Sequence, residues 1–226
     1  MAGLPEVFRK TGEPSLISYD FVDYFAGLGY ISFYAFYDGT NKKLNNNRIA
    51  SSTPRITFDT DGAAYVLVSN IDWDLDFNIP QILGKGSIYV STSMDAIPTT
   101  TTEMQARVDA FVYSVDAALT PTLLAQASGA VVEWGQNKAG SNRTLTKIDI
   151  PSNTKLKAGE KLRVNTQIFT KKTSAIGDAY ITHLWTDGEA RGTTIYNQID
   201  PATTTLDLGY KNATDLIVTV PFKLDI

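Results

Sequence analysis

The sequence of 226 residues contains no cysteine and a single histidine, His183. Disulfides, thiolate nucleophiles and cysteine metal ligands are therefore excluded, and any catalytic triad or histidine-based metal site depends on His183 alone. No nucleophile-elbow motif precedes His183, which lies in the strand-like run 180–185, and we interpret it as an ordinary strand residue. The sequence predicts no enzyme, no cofactor and no metal site.

Long apolar runs and an excess of positive charge are also missing. The longest apolar and aromatic run, residues 30–37, has the length of a strand and is far shorter than a bilayer-spanning helix. The formal net charge of −4 disfavours a protein that binds nucleic acid by neutralising phosphates. Pro5 and Glu6 interrupt the first ten residues, which also lack the basic start of a signal peptide. We therefore expect no nucleic-acid partner and no membrane span.

What the sequence does contain is a repeated alternation of apolar and polar residues, which is typical of strands with one buried face. Short turns such as Asp38-Gly39 favour antiparallel neighbours. We expect about nine or ten strands in an all-β, two-sheet antiparallel β-sandwich that is jelly-roll-like. The clearest rows are residues 71–79, 162–168 and 216–224, and further strand candidates are 55–59, 63–70, 87–93, 145–150 and 179–185.

Residues 104–116 are compatible with two structures. Met104, Val108 and Phe111 have the spacing of one helix face. Residues 107–116 are also rich in valine and aromatic side chains, which favours a strand. Because every neighbouring segment is strand-like, we favour the strand.

Asp72, Asp74 and Asp76 lie on one face of the first row, opposite Trp73 and Phe77. We predict that Trp73 and Phe77 point into the core and that the aspartates point to solvent. Same-face residues two apart are roughly 6.5–7 Å apart, too far to chelate one ion unaided. We interpret the acidic row as a solvated face whose like charges repel and discourage edge pairing. A calcium site or a pair of catalytic carboxylates is the alternative.

Residues 1–40 carry ten of the 24 aromatic residues (3 Trp, 11 Tyr and 10 Phe). These rings either line a strand and cap the core, or form an arm that contacts other subunits, where aromatic residues are enriched. We divide the chain into an aromatic-rich N-terminal segment, residues 1–40, that is partly an arm, and a single β-sandwich domain, residues 41–226. The interface is predicted to include Phe8, Arg9, Lys10, Tyr19, Phe21, Tyr24 and Phe25.

Spaced segments through most of the chain resemble uncharacterised structural proteins from the virions of tailed viruses. These segments are residues 8–13, 18–23, 27–34, 111–116, 148–151 and 156–164. The resemblance implies a non-enzymatic role as an accessory capsid protein, a cement or decoration protein, or a tail component. It further implies synthesis in the host cytoplasm, a homo-oligomer in the virion and contacts with other virion proteins. It implies no catalytic residues.

Two other functions are compatible with the same residues. The first is a carbohydrate-binding or adhesin-type β-sandwich module, which a flat row of exposed aromatic residues would favour. The second is a glycoside-type hydrolase, which two carboxylates facing each other across a pocket would favour. Aromatic side chains buried against another subunit would instead favour the virion protein.

Overall fold

Strands make up most of the chain that the computed structural model describes, which comprises residues 28–37, 40–47, 55–60, 63–96, 103–135, 140–172, 180–185 and 216–223. Fourteen strands and no helix occur in this part of the chain, so the all-β class is confirmed. The strands are β1 (Leu28–Tyr37), β2 (Lys42–Asn45), β3 (Arg55–Thr60), β4 (Val66–Asp76), β5 (Gln81–Leu83), β6 (Gly86–Ala96), β7 (Met104–Val115), β8 (Pro121–Ser128), β9 (Val132–Trp134), β10 (Gly140–Ile150), β11 (Thr154–Leu156), β12 (Lys161–Lys172), β13 (Tyr180–Trp185) and β14 (Ile217–Lys223).

The expected number of strands was too low. β5, β9 and β11 have only three residues each, too few to show an alternation in the sequence. β8 begins at a proline and has one β-branched residue, Thr122, and no aromatic one, so it has little of the composition typical of strands.

Hydrogen bonds join all fourteen strands into one curled sheet with the order β3-β13-β6-β14-β1-β2-β4-β12-β7-β8. Off this path, β10 pairs with β6, β9 pairs with β7, and β5 pairs with β11 and β14. Every pair is antiparallel except β2 with β4, which meet in one parallel bridge between Lys43 and Asp74. The antiparallel prediction therefore holds with that exception, whereas two separate sheets are not observed among the described residues.

The curled sheet has two lobes with the core between them. The first lobe contains β1, β6, β10 and β14, the second contains β4, β7, β8 and β12, and the β1–β2 hairpin links them. β10 contacts β7, β8 and β9 without pairing with them. The buried hydroxyl of Thr146 on β10 donates a hydrogen bond to the carbonyl of Val108 on β7, at 3.1 Å. One apolar cluster includes buried side chains from both lobes.

Trp73 occupies the centre of this core, as its place in the alternating row predicts. Its side chain is fully buried between Ile71 and Leu75, which are also buried. The indole Nε1–H donates to the hydroxyl of Thr166 at 3.0 Å, so the one polar atom of the ring is satisfied. The predicted rows of β12 and β14 are buried in the same way, at Leu162, Val164, Thr166 and Ile168 and at Leu216, Val218, Val220 and Phe222.

The end of β4 differs from the prediction. Residues 63–70 and 71–79 do not form two strands, because β4 runs continuously through Asn70 and ends at Asp76. Phe77 still reaches the core, where its ring packs edge-on against Phe222 with centroids 6.0 Å apart. Ile79 lies beyond the strand and is 46% exposed, so the strand is shorter than the alternating row 71–79.

Residues 104–115 form a strand rather than a helix, as we favoured. β7 pairs with β12 from Met104 to Val115 along its whole length. The helical spacing in the sequence arises because the strand is buried at some positions on both faces, which obscures a strict alternation. Buried side chains on β7 are Met104, Ala106, Val108, Asp109, Ala110, Val112 and Val115.

Candidate interaction surfaces

The seven residues predicted for the interface lie outside the described residues, so that hypothesis stays a prediction. They are Phe8, Arg9, Lys10, Tyr19, Phe21, Tyr24 and Phe25. β1 lies inside the sheet between β14 and β2, so residues 28–37 of the aromatic-rich N-terminal segment belong to the sheet. Aromatic residues occupy both faces of β1. Phe33 is buried against Phe222, with ring centroids 6.1 Å apart, whereas Tyr30 lies beside Tyr89 on the other face, at 6.3 Å.

A basic row on β12 lies in register with the acidic row on β4. Asp76 pairs with Lys161, Asp74 with Arg163, and Asp72 with Asn165. The guanidinium of Arg163 donates to both carboxylate oxygens of Asp74, at 2.7 and 2.9 Å, in the two-pronged geometry that makes such pairs strong. We call these residues, together with Lys43 of β2, the acid–base ladder.

Each aspartate of the acid–base ladder contacts at least one cation. The third guanidinium nitrogen of Arg163, Nη1, lies 3.0 Å from Asp72. Asp76 accepts a hydrogen bond from Lys43 at 3.0 Å and lies 3.3 Å from the ammonium of Lys161. Partial burial alone would raise the pKa of Asp76, but the hydrogen bonds from Lys43 and Lys161 outweigh it and hold that pKa below its usual value.

The same contacts stabilise the charged form of Arg163. Hydrogen bonding to Asp74 raises the pKa of Arg163, against a smaller opposing effect of burial. The side chain of Asp74 is only 15% exposed and that of Arg163 only 24%, so water screens this pair less than a surface salt bridge. The pair therefore stabilises the joint between β4 and β12.

The interpretation of the acidic row as a solvated face of repelling charges was wrong. The aspartates do point away from the core, but their charges are neutralised by partners on β12 and β2. The sequence signal for these partners is the alternation Lys161, Arg163, Asn165, which has the same period as the acidic row. No cluster of three or more acidic or histidine side chains suited to a metal ion occurs among the described residues.

A second arginine in the second lobe is also held by its neighbours. Arg107 on β7 donates to both oxygens of Asp109, at 2.9 and 3.0 Å. Its guanidinium lies 5.2 Å from the ring centre of Tyr65 and 5.1 Å from that of Phe169, within the range of cation–π attraction. Sequence reasoning missed this cluster, because its members come from three distant segments.

His183 lies in strand β13, as expected. In the backbone register it stands opposite Thr57 of β3 and Asp95 of β6. No helix long and apolar enough to cross a membrane occurs in the part of the chain that the structure describes.

The outward face of the first lobe contains a groove of about 480 Å³. Four adjacent strands contribute to it, in the order β1, β14, β6 and β10. We call it the hydroxyl groove, because serine and threonine side chains alternate there with one aromatic ring, one cation and apolar side chains. Its lining includes Ser32, Tyr89, Ser91, Arg143, Leu145 and Thr219.

The polar groups of the hydroxyl groove are joined in pairs. The hydroxyls of Ser32 and Thr219 lie 3.0 Å apart. The Nε–H of Arg143 donates to the hydroxyl of Ser91 at 2.6 Å. Among the residues whose side chains the structure describes, no carboxylate lies within salt-bridge distance of Arg143, in contrast to Arg107 and Arg163. Arg143 therefore lines the groove with its Nε held by Ser91.

β8 forms one end of the strand order and provides the third surface. Within the described residues it pairs with β7 alone, so its other edge has no strand partner there. The eight residues Pro121–Ser128 include no charged side chain, and Leu123 is 48% exposed. One bulge occurs at Leu124, which is skipped between the pairs of Leu123 and Ala125.

No protein-family model matches the chain, and no curated protein matches it. A CocE/NonD family hydrolase from Staphylococcus aureus is a structural neighbour at 13% identity and a TM-score of 0.49, over 86% of this chain and 36% of the hydrolase. An aminopeptidase from a marine sediment archaeon (Thaumarchaeota) matches at 8% identity and a TM-score of 0.48, over 85% of this chain and 37% of the enzyme. Infectious bursal disease virus, Gx strain, matches at 12% identity and a TM-score of 0.30, over 75% of this chain and 39% of the viral chain.

The chain therefore spans little more than a third of the length of the hydrolase and the aminopeptidase. All three TM-scores are below 0.5, so these similarities carry no argument about function.

Proposed function

We propose that this chain is a non-enzymatic structural protein of a virus particle, an accessory capsid, decoration or tail component. It acts through contacts with copies of itself and with other particle proteins. The observation that carries this proposal is the outer edge of β8, which is uncharged and has no strand partner among the described residues.

An unpaired strand edge exposes a row of backbone N–H and C=O groups that another strand can bind. Proteins that stay monomeric usually blunt such edges with lysine, inward-pointing charges, proline or bulges. β8 has Pro121 at its first position and the bulge at Leu124, but it carries no charge in eight residues. The stretch from Ala125 to Ser128 is regular, with half-exposed and exposed side chains.

A second copy of the chain fits this edge best. A two-fold axis brings identical residues together, so a charged edge would meet its own charge across the axis. The uncharged β8 avoids that repulsion, and antiparallel pairing of two copies satisfies the backbone groups of both edges. The exposed side chain of Leu123 adds apolar area that such a contact would remove from water.

Two further features support an assembly role. The sequence segments that resemble virion proteins of tailed viruses include residues 111–116 and 156–164, which lie in or beside β7 and β12, the two strands that precede β8 in the sheet order. We also propose that the two lobes act as the layers of a jelly-roll-like sandwich. That proposal is supported by the contact of β10 with β7 and β8 without strand pairing.

Self-association is the first test. Sedimentation velocity of the full chain over a range of concentrations should show a dimer or larger species. Gln126→Lys places a charge in the middle of the exposed edge and should weaken association by at least about tenfold, since like charges then face each other. Ser152→Lys, in the exposed turn after β10, adds the same charge away from the edge and should leave association unchanged.

A wild-type chain that stays monomeric, or a Gln126→Lys chain that associates normally, would contradict the role of β8. The thermal unfolding curves of both variants check that folding is intact.

Incorporation into particles is the second test. The chain should be present in purified virus particles at a fixed copy number, measured by quantitative mass spectrometry. Deleting residues 1–14 should leave the chain folded and lower its incorporation, because Phe8, Arg9 and Lys10 are lost. Normal incorporation of the truncated, folded chain would eliminate the N-terminal interface, and absence of the full chain from particles would overturn the proposal.

A further inference from the structure

We propose that the hydroxyl groove binds a sugar unit that carries a carboxylate. The groove lies on the first lobe, whereas β8 lies at the edge of the second, so this inference does not rest on the proposed assembly role. Its volume of about 480 Å³ suits a small ligand. Binding pockets for small molecules generally measure roughly 300–1,000 Å³.

We infer the acid group of the ligand from Arg143. Its Nε is held by Ser91, and its terminal nitrogens have no carboxylate partner among the described residues. A planar guanidinium with a fixed orientation matches the two oxygens of a carboxylate better than a point charge does. The arginines of the second lobe, Arg107 and Arg163, show this geometry with Asp109 and Asp74 of the same chain.

The hydroxyl groups of the ligand are identified by Ser32, Ser91 and Thr219. A hydroxyl side chain both donates and accepts, so it can bind a ligand hydroxyl in either sense. Ser32 and Thr219 are 3.0 Å apart on neighbouring strands, and Ser91 lies on the next strand in register with Ile217. Three hydroxyls spread over three strands fit a molecule with several hydroxyls better than an isolated inorganic anion.

We infer the ring of the ligand from the apolar surface that Tyr89 and Leu145 offer. Tyr89 is half-buried and lies beside Tyr30, with ring centroids 6.3 Å apart, which restricts its motion. A sugar ring has an apolar face that can pack on an aromatic ring while its hydroxyls bind at the margin. Leu145 is 58% exposed in the groove and offers apolar area that a ligand would cover.

The test is a titration of the isotopically labelled full chain, followed by nuclear magnetic resonance, with three probes: glucuronate, glucose and acetate. Glucuronate should shift the amide signals of Ser32, Tyr89 and Ser91. It should bind about tenfold or more tightly than glucose, because a charge-assisted pair contributes more than a neutral hydrogen bond. Acetate should bind more weakly than glucuronate, because it lacks the hydroxyls and the ring.

Two variants assign the effect to the groove. Arg143→Gln should reduce the affinity for glucuronate to that for glucose and leave the affinity for glucose unchanged. Lys147→Gln is the matched control, because Lys147 is exposed on the same strand, pairs with Asp149 and lies outside the groove. It should leave glucuronate binding unchanged.

Three results would overturn the inference: no binding of glucuronate, equal binding of glucuronate and glucose, or equal binding of glucuronate and acetate. A Lys147→Gln variant that loses binding while Arg143→Gln retains it would also overturn it. None of these results bears on self-association through β8, so the two proposals fail independently.

Discussion

The acid–base ladder and the hydroxyl groove are outward faces of the same curled sheet, but they use their charges differently. In the ladder, Arg163 holds both oxygens of Asp74, while Lys43 and Lys161 hold Asp76. In the groove, Arg143 contacts the neutral hydroxyl of Ser91 and no described carboxylate. The charges of the ladder therefore stabilise the fold, whereas in the groove the charge of Arg143 is available for the proposed ligand.

Strand register causes this difference. β4 and β12 run antiparallel with acidic residues directly opposite basic ones, so that Asp74 faces Arg163 and Asp76 faces Lys161. β6 and β10 place Leu145 opposite Ser91 and Lys147 opposite Tyr89, which gives no charge pair across the groove. Lys147 instead pairs along its own strand with Asp149, whose pKa is lowered by hydrogen bonds from Ser87 and Lys147. Side-chain pairs across neighbouring strands stabilise a sheet, so two strand pairs with similar numbers of charged residues can differ in stability.

The largest effect on stability is expected on the face of β4 that points into the core. Trp73→Ala removes a fully buried indole and should lower the free energy of unfolding by about 3–5 kcal/mol. Trp73→Phe keeps most of the apolar volume but leaves the hydroxyl of Thr166 without its donor, and should cost about 1–2 kcal/mol. Urea unfolding measures both. A Trp73→Ala cost below that of Trp73→Phe would contradict the placement of Trp73 in the core.

The contact between the lobes is tested at Gly129. A Cβ added there would lie 2.5 Å from the hydroxyl of Thr146 and 2.6 Å from the carbonyl of Val108. Gly129→Ala should therefore push β10 away from β7 and lower stability by about 1–3 kcal/mol. Gly159→Ala is a contrasting variant: its Cβ would meet no atom, but φ of +82° strains any L side chain. Only Gly129→Ala should change the chemical shifts of the β10 amide signals in nuclear magnetic resonance spectra.

The ladder itself is tested at Asp74. Asp74→Asn removes the charge that holds Arg163 in a partly buried site and should cost about 1–2 kcal/mol in chemical unfolding. The interpretation of a solvated acidic face instead predicts a cost under about 0.5 kcal/mol, as for a surface substitution. A variant as stable as the wild type or more stable would support that earlier interpretation.

The smallest effect is a pH dependence at Asp76. Its pKa is lowered in the folded chain, so its contribution to stability is present above the unfolded pKa and is lost as the pH falls below about 4. The side chain of Asp76 is 42% exposed, and screening by water limits the contribution to a few tenths of a kcal/mol. The stability of Asp76→Asn should differ from that of the wild type at pH 7 and converge with it in acid. A difference that grew on acidification would contradict the sign.

The sequence predicted the parts of the fold in which one face of a strand is buried. Burial of one face imposes a period of two, and the rows 71–79, 162–168 and 216–224 showed it, with buried side chains that include Leu75, Ile168 and Phe222. The same period cannot show how the strands join. The joining of all strands into one sheet depends on the β1–β2 hairpin and on a single bridge at Lys43, which leave no pattern in the sequence.

The two outward faces were harder to predict, for different reasons. Both halves of the ladder are visible as alternating charges, but Asp74 and Arg163 are 89 residues apart in the sequence, and only the fold brings them into register. The groove has no local pattern at all, because Ser32, Tyr89, Arg143 and Thr219 come from four strands. Sites assembled from single residues on separate strands carry no motif.

Two double-mutant cycles, measured by urea unfolding, test most directly the claim that the ladder stabilises the fold and the groove does not. The cycle of Asp74→Asn with Arg163→Gln should give a coupling energy of at least about 1 kcal/mol, as for residues in one charge network. The cycle of Ser91→Ala with Arg143→Gln should give a coupling energy below about 0.3 kcal/mol, because Arg143 is exposed and its partner is neutral. Equal coupling energies in the two cycles, or a larger one in the groove, would contradict the account.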